Sequence, residues 1–272
     1  MCRLLGYLGA VCTLADLLQA PTHSLIEQSY QPREMTAGLI NADGFGIAWY
    51  HPQRHTDPFI YRNLLPIWND SNLPHLCRYV ESHCVLASVR SATAGLGVDL
   101  SNCQPYAYDG WVFAHNGYIE NFRRSLYRPL SDLLADEFYQ SVQGTTDSEH
   151  IFALLLQYLR QYDPVRALQR TLQKVLFLAQ QYGVFCSLNC IFSNGQSIYA
   201  CRCSSSHPAP SLYYLPTAQG VVIASEPMGF SQVSPDCLWH RFPENSILWA
   251  VRTSTAVEVG QLSQAITDLV SQ

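Results

Sequence analysis

Charge is scarce in this chain and dispersed where it occurs. Charged residues are 14% of the 272, with 16 Lys and Arg against 21 Asp and Glu, a formal net charge of −5. The cations are scattered and form no basic stripe, so nucleic acid is not expected as a partner. Long apolar runs are missing as well. Stretches such as "IFALLLQYL" fall far short of the ~20 residues that cross a bilayer, and the opening segment lacks the basic lead and long apolar core of a secretion signal. A cytoplasmic protein with no membrane partner is the expectation. Ten cysteines are present, but the paired C-x2-C spacing of a structural zinc site is not, since "CRC" at 201–203 and Cys186/Cys190 do not supply it. With no export signal and a chain long enough to bury a core, disulfides are unnecessary. Most of these thiols are read as small buried hydrophobes, and neither a metal nor a cofactor is expected.

What is abundant is interior. Apolar residues make up 48% of the chain and mean hydropathy is close to zero, the composition of a globular body. No internal repeat or low-complexity linker divides it, so residues 1–272 are read as one domain. The N-terminal run is predicted as a strand, "TLADLLQA" and "SLIEQSYQ" as short helices, the first capped by Thr13. "FGIAWYH", "CVLASVR" and "WVFAH" read as strands, followed by a helical stretch through residue 142 that Pro129 should interrupt. Ile151, Leu154, Leu155, Tyr158 and Leu159 form an apolar helical stripe, and a further helix is predicted over 164–181. "VFCSLNCIF", Asn194-Gly195 and "QSIYACRC" read as a hairpin around a type I′ turn. Further strands follow. Strands, a helical middle and strands again give an α+β chain with antiparallel sheets covered by helices.

Four places carry candidate chemistry. Cys2 follows the initiator methionine; removal of Met1 would leave a thiol beside an α-amine, whose ordinary pKa of about 8 makes it a base near neutrality. Arg90 ends the strand "CVLASVR" beside the Gly-containing loop "SATAG", and an Arg fork is a standard partner for a carboxylate, although a solvated arginine would look the same. Asn116-Gly117 closes "WVFAHNG". Because "YIENFRR" does not alternate like a returning strand, this pair is read as a strand-to-helix corner able to face an oxyanion. Asp147 opens a helix, where Thr146 and Glu149 read as a capping box and an acid suits the macrodipole. The same rigid carboxylate also suits a substrate ammonium.

In this order the pieces resemble the class II glutamine amidotransferases, a family of N-terminal-nucleophile hydrolases. "MCRLLGYLG" resembles the nucleophile start, "NADGFG" the Gly-rich acidic loop, "VRSATAG" the carboxylate-binding loop, "HNG" the oxyanion residues and "TTDSE" the ammonium-binding acid. The resemblance implies a four-layer αββα sandwich. It also implies roles: Cys2 attacking a γ-glutamyl carbonyl, Asn116 and the Gly117 N–H holding the oxyanion, Arg90 the α-carboxylate, Asp147 the α-ammonium, and Thr93 positioning the substrate. Departures fall at Asn41-Ala42, where larger members carry Arg-Gly, and at Ala94, where His is frequent.

"LLQAPTHSLIEQSYQPR" and "NADGFGIAWY" bring the chain nearer to the stand-alone γ-glutamyl hercynylcysteine sulfoxide hydrolases of ergothioneine biosynthesis. That likeness implies a small-molecule γ-glutamyl substrate with a betaine leaving group, for which 16 Tyr, 5 Trp and 11 Phe offer aromatic walls. Three other readings stay open: a glutaminase subunit feeding ammonia to a partner synthase, a hydrolase of glutathione-type peptides, and a non-catalytic γ-glutamyl binder. A homo-oligomer or a partner enzyme of the same pathway is compatible with each.

Overall fold

The computed structural model describes residues 2–35, 38–51, 53, 57–91, 99–206, 208–234, 236–253 and 256–262. Strand β1 (Arg3–Thr13) runs into α1 (Leu14–Leu18), and α2 (Leu25–Tyr30) follows. Thr13 makes the first transition sharp: its hydroxyl accepts from the Asp16 N–H while the Asp16 carboxylate accepts from the Thr13 N–H. Then come β2 (Phe45–Trp49), β3 (Phe59–Asn63), α3 (Leu73–Tyr79), β4 (Glu81–Val89), β5 (Tyr106–Tyr108) and β6 (Trp111–Ile119). The helical middle holds α4 (Tyr127–Ser131), α5 (Asp136–Ser141), α6 (Asp147–Leu159) and α7 (Pro164–Tyr182). The last third is β7 (Cys186–Ser193), β8 (Ser197–Ser204), β9 (Tyr213–Thr217), β10 (Gly220–Ala224), β11 (His240–Arg241), β12 (Ser246–Arg252) and β13 (Val257–Leu262).

These strands form two antiparallel sheets, β11-β9-β10-β1-β4-β2-β3 and β13-β12-β8-β7-β6-β5. Period-two alternation gives each sheet two apolar faces. On the first sheet Leu5, Tyr7, Ile47 and Val85 pack outward with Leu14, Leu17, Leu25 and Leu73 of α1 to α3. On the second, Phe113, Leu188, Cys190 and Phe192 pack outward against α4 to α7. The inner faces meet through Leu4, Leu8, Leu86, Ala114, Ile191 and Ile198. The molecule is therefore the expected four-layer αββα sandwich.

Local expectations differ from the structure at Pro129, at the β7–β8 turn and at "HNG". Pro129 lies within α4, near its start, where a proline's missing N–H is no loss because first-turn donors have no helical acceptor; the chain breaks after Ser131 instead. The β7–β8 hairpin pairs Ser193 with Ile198, which puts Gly195 and Gln196 at its tip, and only Gly195 has positive φ, at 84°. A type II′ turn needs its glycine there, so the Asn194 side chain is released to accept from the N–H groups of Gln196 and Ser197. Finally, "HNG" is not a corner. β6 continues to Ile119, paired with β7 as far as Cys186, because residues 114–119 gain a full partner strand that local alternation does not announce.

Candidate active site

Strand registers converge on one end of the sandwich. Arg3 stands opposite Val89 and Leu4 opposite Ser88, and continuing that ladder brings Cys2 beside Arg90. Leu4 and Leu8 point between the sheets, so alternation sends the Cys2 side chain the same way. Cys84 and Leu86 do likewise on β4 and carry Ser88 and Arg90 with them; Val112 and Ala114 set the direction of Asn116 and Tyr118, and Ile191 that of Asn189 and Ser187.

The space between the sheets thus changes character along its length. Deep inside, Cys84 Sγ meets Ser193 Oγ across the sheets at 3.1 Å, and Gly6 lies against Ile191 and Ile198. Next stand Leu4, Ser88, Asn116 and Asn189, and outermost are Cys2, Arg90, Tyr118 and Ser187. At this end Cys2 is half-buried and Tyr118 is 38% exposed, so the sandwich opens to solvent.

Asn116 is fully buried, yet neither its Nδ2 nor its Oδ1 has a hydrogen-bond partner among the described residues. Leaving such a group unpaired costs about 1–3 kcal/mol. Its neighbour Gly117 presents a backbone donor. Along β6 the N–H of His115 donates to Gln104 Oε1 and that of Ile119 to Asp147 Oδ2 at 2.8 Å, both away from β7. The N–H of Glu120 turns the other way, to the Phe185 carbonyl. Gly117 is in phase with His115 and Ile119, so its N–H projects from the same edge between them. A Cβ at Gly117 would strike the Ser187 carbonyl and reach 2.5 Å from His115 Nε2, which explains the glycine.

Asp147 is fixed on that edge. Its carboxylate accepts from the Ile119 N–H and, through Oδ1, from the Ser148 N–H at 2.8 Å. Thr146 caps α6 by accepting from the Glu149 N–H, but Glu149 accepts from Gln143 and Gly144 and not from the cap, so only half of the expected box forms. The start of α6 is tied to β6 by His115, whose Nδ1 lies 2.9 Å from Ser148 Oγ and whose Nε2 lies 3.1 Å from the Ser187 carbonyl. Burial lowers the His115 pKa despite the nearby Asp147, so the ring is neutral and donates through Nε2.

Arg90 is held by its backbone, donating to the Gly44 carbonyl at 2.8 Å and accepting from the Asp43 N–H at 3.1 Å. Gly44 has φ of 104°, and a Cβ there would sit 2.8 Å from Asn63 O and Cys103 Sγ, so "NADGFG" needs this glycine to close on Arg90. Burial raises the pKa of the Cys103 thiol, and the Arg90 charge opposes that rise.

Cys2, Arg90, Asn116, Gly117 and Asp147 thus come to one end of the fold, while Thr93 lies outside the described residues. Sequence reasoning missed what surrounds them. Glu226 (1% exposed) faces the fully buried Arg3 at 3.2 Å and His23 Nε2 at 2.6 Å, and it accepts from the N–H groups of Arg33 and Glu34. Only the β1–β10 ladder, with Leu5 opposite Ala224, brings residue 226 to residue 3. Gln104 was equally silent. Among the described residues no cluster of His, Cys, Asp and Glu suits a metal, and all ten cysteines are free.

Comparison with known proteins bears on this geometry. The profile of the family described as "Glutamine amidotransferases class-II" matches residues 1–216. A "Probable glutamine amidotransferase DUG3" of Saccharomyces cerevisiae is 30% identical, with 91% of this chain and 81% of that protein covered. A "Gamma-glutamyl-hercynylcysteine sulfoxide hydrolase" of Mycolicibacterium smegmatis is 33% identical, with 84% and 88% covered. A solved glutamine aminotransferase class-II domain protein from Silicibacter pomeroyi superposes with a TM-score of 0.69 at 29% identity, covering 96% of this chain and 99% of that one.

Proposed function

The chain belongs to the class II glutamine amidotransferases, and we propose that it hydrolyses γ-glutamyl amides with Cys2 as an N-terminal nucleophile after loss of Met1. The observation that carries this reading is the unpaired, fully buried Asn116 amide at the Cys2 end of the sandwich, next to the outward Gly117 N–H. Two preorganised donors at one point are what a tetrahedral oxyanion requires. A binder would gain nothing from leaving them unmatched.

In the proposed reaction the Arg90 guanidinium holds the substrate α-carboxylate and Asp147 the α-ammonium, fixing the γ-carbonyl beside sulfur. The Cys2 thiol passes its proton to its own α-amine and attacks the carbonyl carbon. Negative charge moves to the carbonyl oxygen, where Asn116 Nδ2–H and the Gly117 N–H receive it. Collapse breaks the C–N bond as the α-ammonium protonates the leaving nitrogen, giving a γ-glutamyl thioester. The α-amine then takes a proton from water, hydroxide adds to the thioester, and glutamate and the thiol are released.

The mycobacterial relative directs the substrate proposal to γ-glutamyl hercynylcysteine sulfoxide. The test is glutamate release by untagged protein given that compound, glutathione and glutamine in parallel. Preference for the betaine conjugate supports the reading, preference for glutathione moves it to peptide breakdown, and preference for glutamine moves it to ammonia supply. Release from none, with Met1 shown by mass spectrometry to be absent, overturns the enzyme reading.

A further inference from the structure

The inner face of β7 carries polar groups that the chemistry above leaves unused. Asn189 stands opposite Asn116 and Ser187 opposite Tyr118 in the β6–β7 register, a separation of about 5 Å between Cβ atoms. Asn189 is fully buried and donates through Nδ2 to the Pro210 carbonyl at 2.9 Å, which fixes its amide plane and leaves Oδ1 without a partner among the described residues. The hydroxyls of Ser187 (1% exposed) and Ser211 (5%) are likewise unpartnered. Ser211 adjoins this patch through its backbone, its carbonyl lying 3.4 Å from Asn189 Nδ2. Two buried hydroxyls and an amide oxygen left unmatched on one patch cost stability unless a ligand completes them.

Direction decides which part of the substrate that is. Asp147 sits on the β6 edge away from β7, so a γ-glutamyl group anchored there enters from that edge and brings its carbonyl to Asn116. The bond to nitrogen then points onward across β6, over β7. Toward solvent this path passes Tyr118 and Phe185, whose rings pair at 5.4 Å.

Resting on the hydrolase reading, we propose that Ser187, Asn189 and Ser211 form the leaving-group subsite and that it takes an amino acid joined through its α-amine, in preference to ammonia. Asn189 Oδ1 accepts from the scissile N–H, and the two hydroxyls donate to the carboxylate or peptide carbonyl one carbon away. The side chain of the leaving amino acid extends toward Tyr118 and Phe185. Glutamine, with only an NH2 group, leaves the hydroxyls unanswered.

The test compares kcat/KM for γ-glutamylcysteine with that for glutamine in the full-length protein, its Ser187→Ala and Ser211→Ala variants, and Tyr118→Ala, whose exposed side chain can be removed without opening the core. Wild type is expected to favour the dipeptide, and each serine variant to reduce that preference about tenfold, the worth of one hydrogen bond. An unchanged preference in all three variants overturns the subsite, as does an equal loss on both substrates. Wild type inactive on both compounds and on γ-glutamyl hercynylcysteine sulfoxide would bring down the hydrolase reading and the subsite with it, whereas active wild type with unselective variants removes the subsite alone.

Discussion

Asn116 places an unmatched polar group in the interior at a cost in stability. Its amide is fully buried and has no partner among the described residues, so Asn116→Ala should leave the melting temperature unchanged or raise it. The same substitution should lower kcat by about 10²- to 10³-fold if the amide meets an oxyanion; steady-state kinetics with unaltered kcat would reduce Asn116 to a structural residue. Glu226 is the opposite case. Burial alone would raise its carboxyl pKa, but the hydrogen bonds from His23 and the N–H groups of Arg33 and Glu34, with the Arg3 charge, outweigh burial and hold it below the ordinary carboxylate range. A depressed folded-state pKa contributes stability above the unfolded value of about 4.3 and loses it as pH falls through the folded value. Glu226→Gln should therefore cost about 3 kcal/mol at pH 7, where it strands the buried Arg3. The gap to wild type should shrink below pH 4. Urea midpoints at pH 7 and pH 3 check this, and a gap of equal size at both would mean that Glu226 is not ionised in the folded protein.

Among the elements, α6 matters most to the site because its first residue is Asp147. The Thr146 hydroxyl caps that helix and also meets Tyr106 Oη at 2.9 Å. Thr146→Ala should cost about 1 kcal/mol, a fall of about 2 to 4 °C in Tm for a chain of this size. Because the first turn loosens, KM for a γ-glutamyl amide should rise more than kcat falls; a lowered Tm with unchanged KM would separate the cap from the site. The start of α6 was legible in "TTDSEH" because capping is local chemistry, and so were α1 and its Thr13 cap. The course of β6 beyond His115 was not. Residues 116–119 are strand because β7 lies alongside them, and a partner some seventy residues away leaves no mark on local alternation. The Glu149 carboxylate escaped its expected cap for a related reason, since the loop at 143–144 folds back within its reach.

For the whole molecule, one apolar core joins both sheets and the outer cores rest on the same strands. The chain is accordingly expected to unfold in one cooperative calorimetric transition; two separable transitions would show that the sheets are independent units. If the α-amine of Cys2 is the base, an N-terminal extension should abolish glutamate release with little change in Tm, because Cys2 lies at the open end of β1. Full activity of the extended protein would remove the amine from the mechanism. The sequence by itself determined the class of fold and its course from strands through a helical middle to strands again, and it offered Cys2, Arg90, Asn116-Gly117 and Asp147 as candidates that the fold brings to one end. Those signals are local, carried by periodicity, capping and residue type. Only the tertiary structure decided that β1 and β6 face each other with their polar ends together, that Glu226 lies beside Arg3, and that Asn189 Oδ1 and the hydroxyls of Ser187 and Ser211 lack partners among the described residues. Such proximity is set by strand register across long stretches of chain, and register is fixed by packing two sheets face to face, which no short segment of sequence encodes.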